Sequence, residues 1–350
     1  MDSLRVALIG YGLAGRFFHG PLVRATAGLE VAAIVTRDAD RRDQAAHDFP
    51  GALLLATAEE VWARSQDFDL VVLATVSGSH ARLGGEAIDA GLSLVVEKPL
   101  AVTSDEARML IDRATSRGVL LVPFHNRRWD SDQLTLRKLL DRGVLGDVYR
   151  YESRFERWHP RPNPQAWREA LPAAEGGGVL LDLGTHLVDQ ALALFGPVSH
   201  VYGEVEARRG GADDDIFIAL HHESGVESHL WASATSAAPG PRLRVLGSQG
   251  AFVVQHLDSQ EDSIRAGKQP DEVGFGVEPP QRWGRLMRGD AGEPVPSEPG
   301  RWITFYEGVE RALRVGAEPP VRADDALMAL QVLDTVRRYA TRAGGEVTPE

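Results

Sequence analysis

Residues 180–195, LLDLGTHLVDQALALF, set two ionisable groups, Asp182 and His186, at the head of an otherwise apolar run. On a helix that spacing puts them on one face, about one turn apart. The three glycines just before, Gly176 to Gly178, leave the approach bare, so a ligand or another chain can come close. The alternative is a buried polar pair whose members only satisfy their own hydrogen bonds. A second chemical feature is VVEKPLA, Val95 to Ala101, in which Glu97, Lys98 and Pro99 follow a strand. A lysine there can polarise a hydroxyl or ketone oxygen, and the proline fixes the turn that aims it. Read alone, the same three residues make a surface salt bridge and a turn.

GYGLAG, Gly10 to Gly15, has the spacing GxGxxG directly after the first strand and before a helical run. Such glycines allow a tight turn and close approach of backbone to a pyrophosphate, which the following helix N-terminus favours. Gly10, Gly12, Leu13, Ala14 and Gly15 are therefore expected to hold a dinucleotide. The end of the second strand reads AAIVTRDADRR and places Thr36 and Arg37 where a ribose-binding acid is otherwise found. A hydroxyl and a guanidinium suit a 2′-phosphate, which favours NADP over NAD. A shift of two residues would instead make Asp38 the ribose acid. Arg37, Arg41 and Arg42 can also be read as a solvated helix start.

These groups need a scaffold that brings them to one edge. The first 124 residues alternate short apolar strands, beginning at Arg5, Leu29, Ala52, Leu70, Leu92 and Val119, with helical patterns. That is the rhythm of a doubly wound parallel sheet, and in such sheets ligands bind at the C-terminal strand edge. Thr57 to Glu60 and Thr103 to Glu106 fit helix-start capping boxes. Beyond 124 come a helix near Ser131–Arg142, the long strand DVYRYESRFER, a Pro-rich loop and the Asp182/His186 helix. Strands from His200, Asp215, Val226, Pro241 and Ala251 follow without regular helices between them. This order predicts an open, mainly antiparallel sheet with helices on one face. Ser259–Gly300 reads as an extended loop, and two helices close the chain near Trp302–Val315 and Asp324–Ala343. The expected domains are 1–124 and 125–350.

At 350 residues, 43% apolar and 25% charged, the chain has the length and composition of a two-domain globular protein. No stretch is long and apolar enough for a membrane span, and the N-terminus enters a strand at once, so the expected location is the cytoplasm. A net charge of −12 argues against a general nucleic-acid binder. The absence of cysteine excludes disulfides and thiolate chemistry, and no compact ligand set predicts a metal.

Taken in order, GxGxxG, EKP, HNRRW (His125 to Trp129) and DxGxH (Asp182, Gly184, His186) resemble the signature of the glucose-fructose oxidoreductase, inositol dehydrogenase and rhizopine-catabolism family, Gfo/Idh/MocA. GYGLAGRFFHGPL, VTR, HNRRWDSD, DLGTHLVDQAL and LRAGKQPDE resemble its NADP-dependent scyllo-inositol dehydrogenases. The resemblance implies a Rossmann domain followed by an α/β domain on an open sheet, commonly assembled as a homodimer or homotetramer. It implies interconversion of a secondary alcohol and a ketone on an inositol or sugar-like polyol, with scyllo-inositol and its 2-keto derivative first. Another sugar substrate, or a non-catalytic dinucleotide sensor, remains the alternative. Lys98, Asp182 and His186 match the family's catalytic positions: His186 would exchange the hydroxyl proton, Lys98 stabilise the oxyanion, and Asp182 orient substrate. Glu97, Lys98, Trp167 and Arg168 are implied at the cofactor, and Asn126, Arg127, His159 and Arg161 at the substrate. Leu187, Val188, Ala191 and Leu192 are expected to pack inward.

Overall fold

The structure, a computed structural model, describes residues 2–343, with side chains as far as residue 340. Its Cα packing divides into two compact units. The first holds residues up to Asp130, Asp258–Val277 and Pro299–Leu327; the second begins at Ser131–Leu257 and includes Glu278–Glu298 and the chain from Met328. Two later segments therefore pack with the first unit, which a single division at 124/125 does not describe. The reason lies in the core. Trp302, Phe305, Tyr306 and Val309 are fully buried against Phe124, Leu22 and Val122, and the Trp302 indole donates to Asp130 Oδ1 at 2.7 Å.

The first unit carries six parallel strands, β1 (Leu4–Ile9), β2 (Leu29–Val35), β3 (Leu53–Leu55), β4 (Leu70–Leu73), β5 (Ser93–Glu97) and β6 (Leu121–Phe124), in the order β3-β2-β1-β4-β5-β6. Val6, Val71, Val72, Leu94, Val95 and Val122 are all completely buried, as a sheet covered on both faces requires. The Thr57 box forms as expected: Glu60 accepts from the Thr57 N–H at 3.0 Å. At the second box Thr103 accepts from Glu106 N–H, while the Glu106 carboxylate accepts from Val102 N–H.

In the second unit eight strands form one mixed sheet. They are β7 (Val148–Glu156), β8 (Val198–Glu206), β9 (Asp215–His222), β10 (Glu227–Ser233), β11 (Leu243–Gly247), β12 (Gly250–Val254), β13 (Gly284–Arg288) and β14 (Ala291–Val295). The order is β14-β13-β12-β11-β7-β10-β9-β8, and only β7 and β10 run parallel. The last two strands correct the loop expected over Ser259–Gly300, which also contains a helix, Gln260–Arg265. Their short, polar sequences carry little alternation, and Pro294 is tolerated because β14 is an edge strand. On β7, Tyr151, Ser153 and Phe155 are buried, with Tyr151 against Phe195 of the helix Thr185–Phe195 at 5.3 Å between rings. Leu187, Val188 and Ala191 are fully buried there, whereas Leu192 is only half-buried. A buried Arg242–Asp132 ion pair at 3.2 Å fixes the same layer, the guanidinium also donating to Gln190 at 3.0 Å.

Candidate active site

The glycine turn is built as a cradle. A Cβ on Gly15 would lie 2.0 Å from the Gly10 carbonyl oxygen, and one on Gly10 would lie 2.5 Å from that of Ala74. Neither position accepts a side chain. Between them Tyr11 points inward and donates to Asp48 at 2.8 Å, an oxygen that Arg16 also reaches at 3.0 Å. Burial, then Asp48, pushes the Tyr11 hydroxyl above its ordinary range, so it stays a donor. Leu13 is exposed and Ala14 half-buried, and the chain leaves the turn through a π-helical turn, Gly15–His19. π turns recur at functional sites.

At the end of β2, Thr36 is buried and Arg37 exposed. Asp38 caps the helix Ala39–Asp48, accepting from Arg41 N–H at 2.9 Å, so its carboxylate serves a helix start. The arginines differ in what they face. Arg42 donates to the Leu54 carbonyl at 2.9 Å. Arg37 lies near Glu59, whose carboxyl is held below its usual range by hydrogen bonds from its own backbone and Thr57, and further by the Arg37 charge. Arg41 stands over the glycine turn, its Nη1 3.7 Å from where a Gly12 Cβ would be. Sequence reasoning treated Arg41 as solvated; its approach to Gly12, 29 positions away, has no local signature.

Lys98 is half-buried at the end of β5, after the buried Glu97. His80 is fully buried beside this turn. Its Nδ1 is 2.8 Å from the Pro99 carbonyl and its Nε2 3.3 Å from that of Thr75. Burial holds its pKa below the usual histidine range, and the single N–H of the neutral ring donates to one of the two carbonyls. Asn126 is buried. Arg127 is held by Glu261 at 3.2 Å and Asp130 at 3.5 Å, and Arg128 by Asp325 at 3.1 Å.

In the second unit Asp182 and His186 share one helix, but its first turn, Leu180–Gly184, is π-helical, and the α-helix begins at Thr185. Asp182 is half-buried and accepts from Arg168 Nε at 2.8 Å, the Arg168 guanidinium lying 4.4 Å from the Trp167 ring centre. The structure thus joins Trp167, Arg168 and Asp182 in one cluster. His186 is 5% exposed, with its ring 6.1 Å from that of Phe155. His159 and Arg161 lie on the exposed loop after β7, where the His159 carbonyl accepts from Arg209 at 2.9 Å.

The three glycines do not leave an open approach, because all are buried. A Cβ on Gly177 would meet the Leu171 carbonyl at 1.8 Å, and one on Gly178 would meet Asp213 Oδ2 at 1.9 Å. Asp213 accepts from Leu180 N–H at 2.7 Å, capping the turn that carries Asp182. Gly178 makes room for that cap, and Gly177 for the Leu171 carbonyl. Burial raises the Asp213 pKa above the usual aspartate range.

Residues 4–125 match a model described as an oxidoreductase family with an NAD-binding Rossmann fold, and residues 133–253 match the Gfo/Idh/MocA C-terminal domain. The chain is 35% identical over 340 residues to the scyllo-inositol 2-dehydrogenase (NADP(+)) of Bacillus subtilis (strain 168), covering 95% of this chain and 93% of that one. The chain belongs to the Gfo/Idh/MocA family of oxidoreductases. Another relative, the oxidoreductase YdgJ of Escherichia coli (strain K12), is 36% identical over 338 residues, 95% of each chain. The solved structure of Bacillus subtilis YvaA superposes with a TM-score of 0.91 at 32% identity, covering 98% of this chain and 97% of that one. Membership carries with it a nucleotide-binding domain and redox chemistry. Among the described residues, no helix is long and apolar enough to cross a membrane.

Proposed function

We propose that this protein is an NADP-dependent oxidoreductase interconverting a secondary alcohol and a ketone on an inositol or sugar-like polyol, with scyllo-inositol and its 2-keto form as first substrates. The observation that carries the reading is the DxGxH helix, whose π turn holds Asp182 against Arg168 while His186 lies in the first turn of the α-helix. The named Bacillus relative supports the substrate class. NADP over NAD is supported by the end of β2, where Asp38 is committed to capping and Thr36, Arg37 and Arg41 supply a hydroxyl and two guanidinium groups.

The cradle at Gly10 to Gly15 fits a pyrophosphate, since the backbone there is bare and precedes a helical turn. When bound, the nicotinamide supplies the hydride acceptor or donor. His186 exchanges the proton of the reacting hydroxyl. Lys98 stabilises the negative charge that grows on its oxygen. Asp182, steadied by Arg168, orients the substrate, with Asn126, Arg127, His159 and Arg161 as further substrate contacts and Glu97 and Trp167 at the cofactor. The expected assembly is a homodimer or homotetramer, for which the exposed Tyr202 and half-buried Phe217 and Trp231 of the sheet's open face supply apolar surface.

The test is NADPH formation or consumption across a panel of inositols, inososes, aldoses and anhydro-sugars. Turnover of an inositol or inosose supports the assignment, and turnover of an aldose alone overturns the substrate class. Tight NADPH binding without turnover of any member would point to a sensor.

A further inference from the structure

His19 ends the π-helical turn that leaves the glycine cradle, and its side chain is completely buried. Its Nδ1 lies 2.6 Å from the Tyr306 hydroxyl. Its Nε2 lies 3.3 Å from Glu97 Oε1, a close polar contact without hydrogen-bond geometry. The ring packs 4.2 Å from that of Phe124, the residue paired with Glu97 across β5 and β6. Glu97 immediately precedes Lys98. A buried carboxylate is costly unless donors face it.

The groups on either side of the ring decide the imidazole tautomer. Burial, and then the Glu97 charge, raises the Tyr306 pKa well above its ordinary range, so Tyr306 keeps its proton. A protonated tyrosine hydroxyl can donate to a ring nitrogen or accept from it, so the carboxylate decides: Glu97 Oε1, 3.3 Å from Nε2, favours the ring proton there and leaves Nδ1 to accept from Tyr306 O–H. In this tautomer Tyr306 O–H donates to His19 Nδ1, and the Nε2–H faces Glu97 as a close polar contact and not as an aligned hydrogen bond.

We infer that His19, oriented by Tyr306, is a positioning residue that holds Glu97 and so aims Lys98, pinning the strand end that carries the lysine to the turn that cradles the cofactor. The inference rests on the proposed role of Lys98 at the substrate oxygen.

The full-length wild type is compared with Tyr306→Phe and His19→Gln. Nitrogen–proton NMR of the histidine rings is expected to show His19 protonated on Nε2 in the wild type and a mixture of tautomers in Tyr306→Phe. Misaiming a catalytic group by about 1 Å costs up to roughly 100-fold. On that scale kcat should fall roughly tenfold in Tyr306→Phe and more in His19→Gln, with KM and NADPH affinity within about threefold. The reactivity of Lys98 toward acetic anhydride, read by mass spectrometry against the exposed Lys268 without substrate, should change in both variants. This last measurement needs no turnover, so a changed Lys98 with no polyol activity would sustain the positioning role while removing the functional reading. A His19 proton on Nδ1, or unchanged Lys98 reactivity in a folded Tyr306→Phe, would overturn the inference. Tyr306→Phe alone decides the matter should His19→Gln not fold.

Discussion

Replacing Gly178 by alanine perturbs the start of the Asp182/His186 helix without touching either residue. Gly178 has φ +93°, a conformation in which a Cβ costs about 1 to 2 kcal/mol. The new methyl would lie 1.9 Å from Asp213 Oδ2 and 2.4 Å from its Cγ, so the carboxylate must swing away and give up the 2.7 Å bond from Leu180 N–H. Losing a hydrogen bond to a charged group costs about 1.5 to 3 kcal/mol. The two effects together reach roughly 3 kcal/mol or more, or about 6 to 12 °C in the melting of a unit this size. Gly225 is the internal control, since its φ is +85° and nothing lies within 4 Å of its Cβ position. Gly225→Ala should therefore cost only the backbone share, about 1 to 2 kcal/mol. Calorimetry of Gly178→Ala, Asp213→Ala and the double variant separates the terms. With Asp213 already removed, Gly178→Ala should cost little more than Gly225→Ala. An equal cost in both backgrounds, or no excess over Gly225→Ala, would refute the cap.

Arg41→Ala should weaken NADPH binding by roughly tenfold or more, the scale of one charge-assisted contact, and leave NADH nearly unchanged; fluorescence titration reads both. Arg37→Ala should act in the same direction. Asp38→Ala should lower stability by about 1 kcal/mol as a lost helix cap, without altering cofactor preference; a switch toward NADP in that variant would restore Asp38 as a ribose acid. Because burial raises the Asp213 pKa, ionising it opposes folding. Wild type should therefore lose stability relative to Asp213→Asn as pH rises from below the ordinary aspartate range through Asp213's raised one, then stay offset. Parallel stability–pH curves in urea would contradict this.

The parallel strands were legible because each is an apolar run between turn and cap signals, and the antiparallel strands because most alternate. The β13–β14 hairpin was not, since edge strands tolerate polar residues and proline. Periodicity identified the Asp182/His186 helix but not its π turn, which one extra residue per turn creates without a sequence marker. Gly176 to Gly178 were recognised as special, yet their purpose depends on Asp213, some 35 positions later, and on the Leu171 carbonyl. Nothing in the sequence around His19 and His80 marks a role for them. Their partners are Tyr306 and Glu97 for the first, and the Thr75 and Pro99 carbonyls for the second, groups that only the folded chain supplies.

The central claim is that His186 handles the substrate proton while the nucleotide is held elsewhere. The most direct measurement is single-turnover oxidation of NADPH by an inosose in wild type and His186→Ala, with NADPH affinity determined on the same samples. A positioned proton-transfer group is worth about 10² to 10⁴ in rate. His186→Ala should lose that much while binding NADPH within about threefold of wild type. Near-normal turnover by His186→Ala, or a loss that follows weakened NADPH binding, would contradict the account.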